Sequence, residues 1–355
     1  MSARTSHRPA LRAQRGFSLV ELMVGMLLSL VLLAGALSIL YSSKITYSEN
    51  DRISRLQETG RTVVEMILRD ARATGFRGCG RPKDPTYFSN GLVDANQLLW
   101  NMGQPIYGFD YDSSGGTWKP VLDAVTIPGA SPDSDIIVLR TTRDGTPSFR
   151  LSAPVTTASD DLQVFRGSGI TVPVGQTMIA NDCVNTTVFA VSAFVPGGAT
   201  AATLQHRAGG APGTNASNNL LSGLTADAQV SFVDTVIYYV RDDGTGAALW
   251  RRIGNEPQPQ RLIPGVENLQ ILYGVDTNAD LLVDEYRRAD EIDAANNWAN
   301  VISLTIAVLV RTEDENNLER DTRTYNMLTH NVGPFNDRRQ RSMFVTTVTL
   351  RNQTT

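Results

Sequence analysis

From Leu22 to Tyr41 the chain runs for twenty residues without a charged side chain. A helix rising about 1.5 Å per residue covers about 30 Å over that length, which fits one crossing of a bilayer. Four arginines, Arg4, Arg8, Arg12 and Arg15, precede the run with no acid among them, and Lys44 is the only base close behind it. The positive-inside rule then puts the N-terminus in the cytoplasm and everything after Tyr41 on the opposite side. A secretory signal peptide has this outline and would be cut after Ala34-Gly35-Ala36, which matches A-x-A. An uncleaved anchor has it too. Both must tolerate Glu21, and an acid inside a bilayer costs about 2.5 to 3.5 kcal/mol on insertion scales, less near the interface. Neither gives that acid a task.

Gly16-Phe17-Ser18-Leu19-Val20-Glu21 does. This unit resembles the type IV prepilin signature: a short basic leader ending in glycine, then phenylalanine, then glutamate at the fifth mature position. The resemblance implies that a membrane aspartic peptidase, the prepilin peptidase, cleaves between Gly16 and Phe17 on the cytoplasmic side. It also implies methylation of the new amino group of Phe17, retention of the apolar segment, and an assembly role for Glu21. An acid just inside an apolar run becomes tolerable beside a cation, and the Phe17 ammonium of a neighbouring subunit is a suitable one. Glu21 would then set the register of each incoming subunit.

Past the apolar run, Ile53, Leu56, Gly60, Val63 or Val64, Ile67 and Ala71 recur at steps of three and four, one face of an amphipathic helix. Glu58 with Arg61, and Glu65 with Arg69, have helix-compatible spacing on the wet side. The pattern predicts a helix of about fifty-five residues from Phe17 to Ala73, about 80 Å long, with a transmembrane part near 22–41 and an amphipathic part near 44–74. Two helices broken between Ser42 and Asn50 are the alternative. Beyond Gly75 the period changes. Runs beginning at Asp135, Leu162, Thr186, Ser231, Ala247, Val266, Val301 and Met343 are rich in β-branched and aromatic residues and read as strands. Asp242-Asp243-Gly244-Thr245-Gly246 and Arg143-Asp144-Gly145 read as hairpin loops. Close spacing favours antiparallel pairing, so the expected class is α+β: a leader at 1–16, a long N-terminal helix at 17–74, and a β-sheet-rich head at 75–355 on which the helix packs. Gly103 to Asp133 and Pro196 to Asp227 read as surface insertions, places where a ligand would bind if the loops are functional.

Composition narrows the function. The net charge of -4 includes the four leader arginines, so the remainder is more acidic still, and lysine occurs only at 44, 83 and 119. Nucleic acid is therefore a poor primary partner, since its phosphates call for clustered Lys and Arg. There is no GxSxG, HExxH or P-loop. His7 falls in the leader, and His206 and His330 read as exposed surface residues. Asp160-Asp161 and Glu313-Asp314-Glu315 read as solvated turns, and Trp100, Trp118, Trp250 and Trp298 as core or edge packing. From Val275 to Glu285, Asp276, Asn278, Asp280 and Asp284 stand at positions 1, 3, 5 and 9 of a would-be calcium loop. Leu281 replaces the turn glycine and Arg287 the bidentate glutamate, so a solvated acidic turn competes with calcium. Cys79 and Cys183 are too few for a zinc site; outside the cytoplasm they form either one disulfide or two buried thiols.

Four further stretches sharpen the resemblance: Gly75 to Gly80, Ile179 to Cys183, Val266 to Tyr286, and the ending Arg341 to Asn352. These look like the PilW-type minor pilins, which prime pilus assembly and are similar to the J-type minor pseudopilin of type II secretion. The resemblance implies a non-catalytic minor pilin and a disulfide between Cys79 and Cys183. It implies as partners the prepilin peptidase, other minor pilins, the major pilin and an inner-membrane assembly platform. It implies a bacterial inner-membrane protein with a periplasmic head that later joins a surface pilus, initiating it or capping its tip and serving twitching motility or adhesion. No cofactor is implied beyond the calcium alternative; the competing assignments are a minor pseudopilin and a pilus-tip adhesin.

Overall fold

The computed structural model describes residues 16, 18–78, 88–143, 145–220, 223–254 and 256–354. One uninterrupted helix spans Leu19–Ala73. The break allowed between 42 and 50 does not occur, and no proline or glycine interrupts that stretch. Contacts divide the chain into two units, Met1–Arg55 and Leu56–Thr355.

Within the first unit the apolar side chains from Leu19 to Tyr41 are exposed all round, as at Leu30 (70%) and Leu32 (74%). It contains one helical stretch long and apolar enough to cross a membrane. Each such side chain gains about 1.5–3 kcal/mol when it leaves water, so this surface needs lipid or other apolar helices around it. Beyond the run, Arg55 pairs with Asp51 at 3.0 Å, a four-residue spacing suited to a wet helix face.

In the second unit, Leu56, Gly60, Val63, Ile67, Leu68 and Ala71 form the buried stripe. The predicted face is right except at Ile53, which is 40% exposed. Gly60 is there for close approach: a Cβ would lie 2.1 Å from the Phe344 ring. Asp70 faces the same core and accepts a hydrogen bond from the Tyr238 hydroxyl at 2.7 Å. The wet-side pairs differ from those expected. Arg61 binds Glu65 at 2.7 Å, one turn ahead rather than one turn behind, and Arg69 lies 3.6 Å from Asp70.

The helix end packs against two sheets. The smaller has the order Glu285–Arg287, Val266–Val275, Val301–Arg311, Arg341–Thr349, antiparallel throughout. The larger counts thirteen strands among the described residues and is organised by Gln229–Asp242. The first part of that fourteen-residue strand pairs with Thr177–Asn181 and Phe149–Leu151, and its later part with Ile136–Thr142 and Ala247–Ile253. One core takes in Val63, Ile67 and Ala71 from the helix, Tyr238 and Leu249 from the larger sheet, and Ile271, Ile306 and Val348 from the smaller. Among the described strands pairing is antiparallel except where Phe88–Asn90 runs parallel to Thr186–Ala190.

Several expectations need correction. The run from Thr186 is two strands, Thr186–Ala190 and Ala193–Pro196, because the chain changes partners: the Val191 N–H binds the Gln176 carbonyl and the Ser192 N–H that of Gln205. Asp242 to Gly246 is a hairpin, joining two strands in register from Asp242–Ala247. Arg143 to Gly145 is not, since Ile136–Thr142 and Phe149–Leu151 each pair with Gln229–Asp242 and not with each other; Asp144 lies outside the described residues. Neither supposed insertion is merely superficial. Gly103 to Asp133 contributes the strand Ile106–Asp112, with Ile106 and Phe109 buried. Pro196 to Asp227 contributes Ala201–Gln205 and a buried Asn215 whose amide brackets the Ala190 main chain. His206, expected on the surface, is fully buried with Nε2 2.8 Å from the Asp160 carbonyl. His330 is half-buried on a short strand, and His7 lies outside the described residues. Of the tryptophans, Trp298 is in the core and the other three are half-buried.

Candidate functional site

The helix begins at Leu19, and Glu21 sits in its first turn. There the carboxylate is favoured by the helix dipole, and its Oε2 accepts from the Ser18 N–H at 3.4 Å, a cap one turn back. Glu21 makes no ion pair among the described residues and is exposed amid Leu22, Met26 and Leu30. Gly16 is exposed. Phe17, the expected site of methylation, lies outside the described residues.

Cys183 occupies a tight corner with φ of 73°, and its N–H binds the Asn181 carboxamide oxygen at 3.0 Å. The same oxygen would lie 2.4 Å from a Cβ at Gly78. Thus the residue just before Cys79 abuts the residue that holds Cys183 in place. No described cysteine is free; Cys79 itself lies outside the described residues.

The acidic loop folds on its own carboxylates. Asp276 accepts from the N–H groups of Asn278, Ala279 and Leu281, and Asp284 from the N–H and hydroxyl of Thr277. Asn278 reaches Asp280 and Asp284 through its amide nitrogen. Ala279 and Leu281 take positive φ to close the turn. No group of three or more His, Cys, Asp or Glu able to hold a metal occurs among the described residues.

One acidic pair was missed by sequence reasoning. Asp110 and Asp135 are buried beside Tyr273, whose hydroxyl and the Asp110 Oδ1 have no hydrogen-bond partner. Burial pushes the Asp110 carboxyl up to about 6 against the pull of Arg288, 3.5 Å away. Asp135 is pushed up by its own burial and then by Asp110. A carboxyl raised above its unfolded value, about 3.9, stabilises the fold below that value, and the stability is lost as pH rises through the folded value. Full-length protein in detergent is therefore expected to be more stable at pH 5 than at pH 7 by about 1 kcal/mol, and Asp110→Asn to flatten that dependence. Melting curves that rise from pH 5 to pH 7 would overturn the assignment.

With this geometry in hand, the comparisons decide the class. Residues 237–352 match the family described as type IV pilus-assembly protein W, and residues 11–37 match the prokaryotic N-terminal methylation motif. Over these two stretches the chain is similar to PilW-type prepilin-like proteins. No curated protein and no solved structure matches it. The motif match covers Gly16, Phe17 and Glu21 together with most of the apolar run, and the PilW match holds every strand of the smaller sheet. Neither matched family is an enzyme family; both belong to pilus assembly or prepilin processing. The two matches support a type IV pilus-related minor pilin, and the apolar first helix together with the methylation motif supports a membrane anchor.

Proposed function

We propose that this minor pilin helps to initiate a type IV pilus and stays at or near its tip. The prepilin peptidase removes residues 1–16 and methylates Phe17. The protein waits in the bacterial inner membrane with its head in the periplasm. An assembly platform then lifts it out with other minor pilins ahead of the major pilin. The observation that carries this reading is the helix itself: fifty-five residues without a break, apolar all round in its first part, with an acid in the opening turn. In an apolar bundle that acid needs a cation, and a neighbour's Phe17 ammonium supplies it. The large head favours a terminal place over repeated stacking along a shaft. A disulfide from Cys79 to Cys183 ties the chain just after the helix to the larger sheet, closing a loop of about one hundred residues for several kcal/mol; the Gly78–Asn181–Cys183 contacts support that pairing. The protein works by assembly and catalyses nothing.

Intact-mass and N-terminal analysis of protein purified from its native membrane tests this. The expected chain starts at N-methylphenylalanine 17 and lacks two thiol hydrogens. A chain retaining Met1, or starting at Leu37, removes the assembly reading; two free thiols remove the disulfide alone.

A further inference from the structure

The head contains a cavity of about 360 Å³ lined by residues that include Gln104, Tyr107, Arg140, Asp293 and Trp298, with the exposed Asn96 at its mouth. That volume lies at the lower end of the range for small-molecule sites. Arg140 projects from the strand Ile136–Thr142 and is 3% exposed. Its NH1 and NH2 donate to the carbonyls of Gln104 (2.8 Å) and Leu98 (2.7 Å), and its Nε–H has no partner. No carboxylate among the described residues pairs with it. Guanidinium has five N–H donors, and two carbonyls leave most of them for something else. Burial pulls this group down to about 9, opposed by the Tyr107 oxygen. Most other buried charges in this head have a counter-charge; Arg140 has a cavity.

The remaining wall says what kind of anion fits. Asp293 fixes two aromatic rings: its Oδ1 accepts from the Tyr107 hydroxyl at 2.8 Å and from the Trp298 indole N–H at 3.1 Å. The rings lie 4.7 Å apart at a tilt of 42°. Asp293 and Asp123, both in the wall, repel a small multiply charged anion such as phosphate, yet carboxylates accept from hydroxyls. The carboxamides of Asn96 and Gln104 donate and accept, as a hydroxyl does. One cation, several amides, two acceptors and fixed aromatic edges together ask for a ligand with one carboxylate and many hydroxyls. We propose that this cavity binds a carboxylate-bearing monosaccharide, its carboxylate against Arg140 and its hydroxyls against the amides and Asp293. The inference stands on the cavity alone and is independent of the assembly reading.

Full-length protein in detergent is titrated with glucuronate, galacturonate, N-acetylneuraminate, glucose, acetate and inorganic phosphate, with saturation-transfer NMR and calorimetry as readouts. At least one sugar acid is expected to bind about tenfold or more tighter than glucose and acetate. Arg140→Gln is expected to erase the preference over glucose. In case Arg140→Gln does not fold, Asn96→Asp at the exposed mouth adds a repelling charge without touching the core. It is expected to weaken the sugar acid severalfold more than it weakens glucose, narrowing the preference. Failure of all three sugar acids to bind overturns the proposal, as does binding that Asn96→Asp leaves intact. Acetate or phosphate binding as tightly as the sugar acids overturns the sugar and leaves a bare anion site.

Discussion

Arg341→Ala is expected to destabilise the head by about 3–5 kcal/mol, lowering the melting temperature of the full-length protein by on the order of 10 °C. The Arg341 side chain is fully buried and forms the hub of an ion network. Its guanidinium meets Glu267 at 2.5 and 3.0 Å, Asp337 at 2.6 and 2.7 Å and Asp321 at 3.2 Å, and lies 3.7 Å from the centre of the Phe335 ring. Although burial alone would lower the Arg341 value, hydrogen bonds to Asp337 and Glu267 raise it, and Asp337 is held down to about 2 chiefly by its bond to Arg341. Truncation leaves Asp321, 1% exposed at its side chain, facing only Arg323 and Tyr325. Glu267 keeps only Arg311, at 2.8 Å. Such a loss is a large share of the roughly 5–15 kcal/mol that holds a domain together, so poor accumulation in cells is part of the expected result. Arg341→Lys restores the charge without the planar fork and is expected to fall between the two. A melting temperature unchanged in Arg341→Ala would show that the network contributes nothing net.

Glu21→Val is expected to leave the protein in the membrane at its usual level and to remove it from sheared pili. In the membrane the change is neutral or favourable, since valine suits lipid better than an acid does. In a filament the same change strands a neighbour's Phe17 ammonium in an apolar bundle. Removing one member of a buried pair costs about 3–5 kcal/mol, or more than about a hundredfold in incorporation at 1.4 kcal/mol per factor of ten. The two effects have opposite signs, so comparing membrane and sheared fractions by immunoblot separates them. Glu21→Gln keeps the shape and the helix cap at Ser18 and isolates the charge; it is expected to behave like valine. Normal recovery of either variant in the sheared fraction would refute the role given to Glu21.

Much of this was legible without coordinates. The uncharged run from Leu22 to Tyr41, the three-and-four spacing from Leu56 to Ala71, and the β-branched runs at Val266 and Val301 are local patterns, set by which side chains tolerate water or crowd a backbone. So is the acid at Glu21, visible because it violates the pattern around it. Other features depend on what arrives from far along the chain. The split at Val191 reflects carbonyls offered by Gln176, just before Thr177–Asn181, and by Gln205, at the end of Ala201–Gln205. His206 and Asn215 sit in a stretch whose glycines and alanines look soluble, yet neighbouring strands close over them. Glu267, Asp321, Asp337 and Arg341 are scattered over seventy-odd positions, and Arg140 reads as one charge in a strand until its lack of a counter-charge is seen. By itself the sequence determined the helix, the sheet-rich head and the acid at the helix start, because periodicity and hydrophobicity act over a few residues. Only the tertiary structure decided which charges are buried, which are paired and which one faces an open cavity, because desolvation depends on neighbours that no local pattern names.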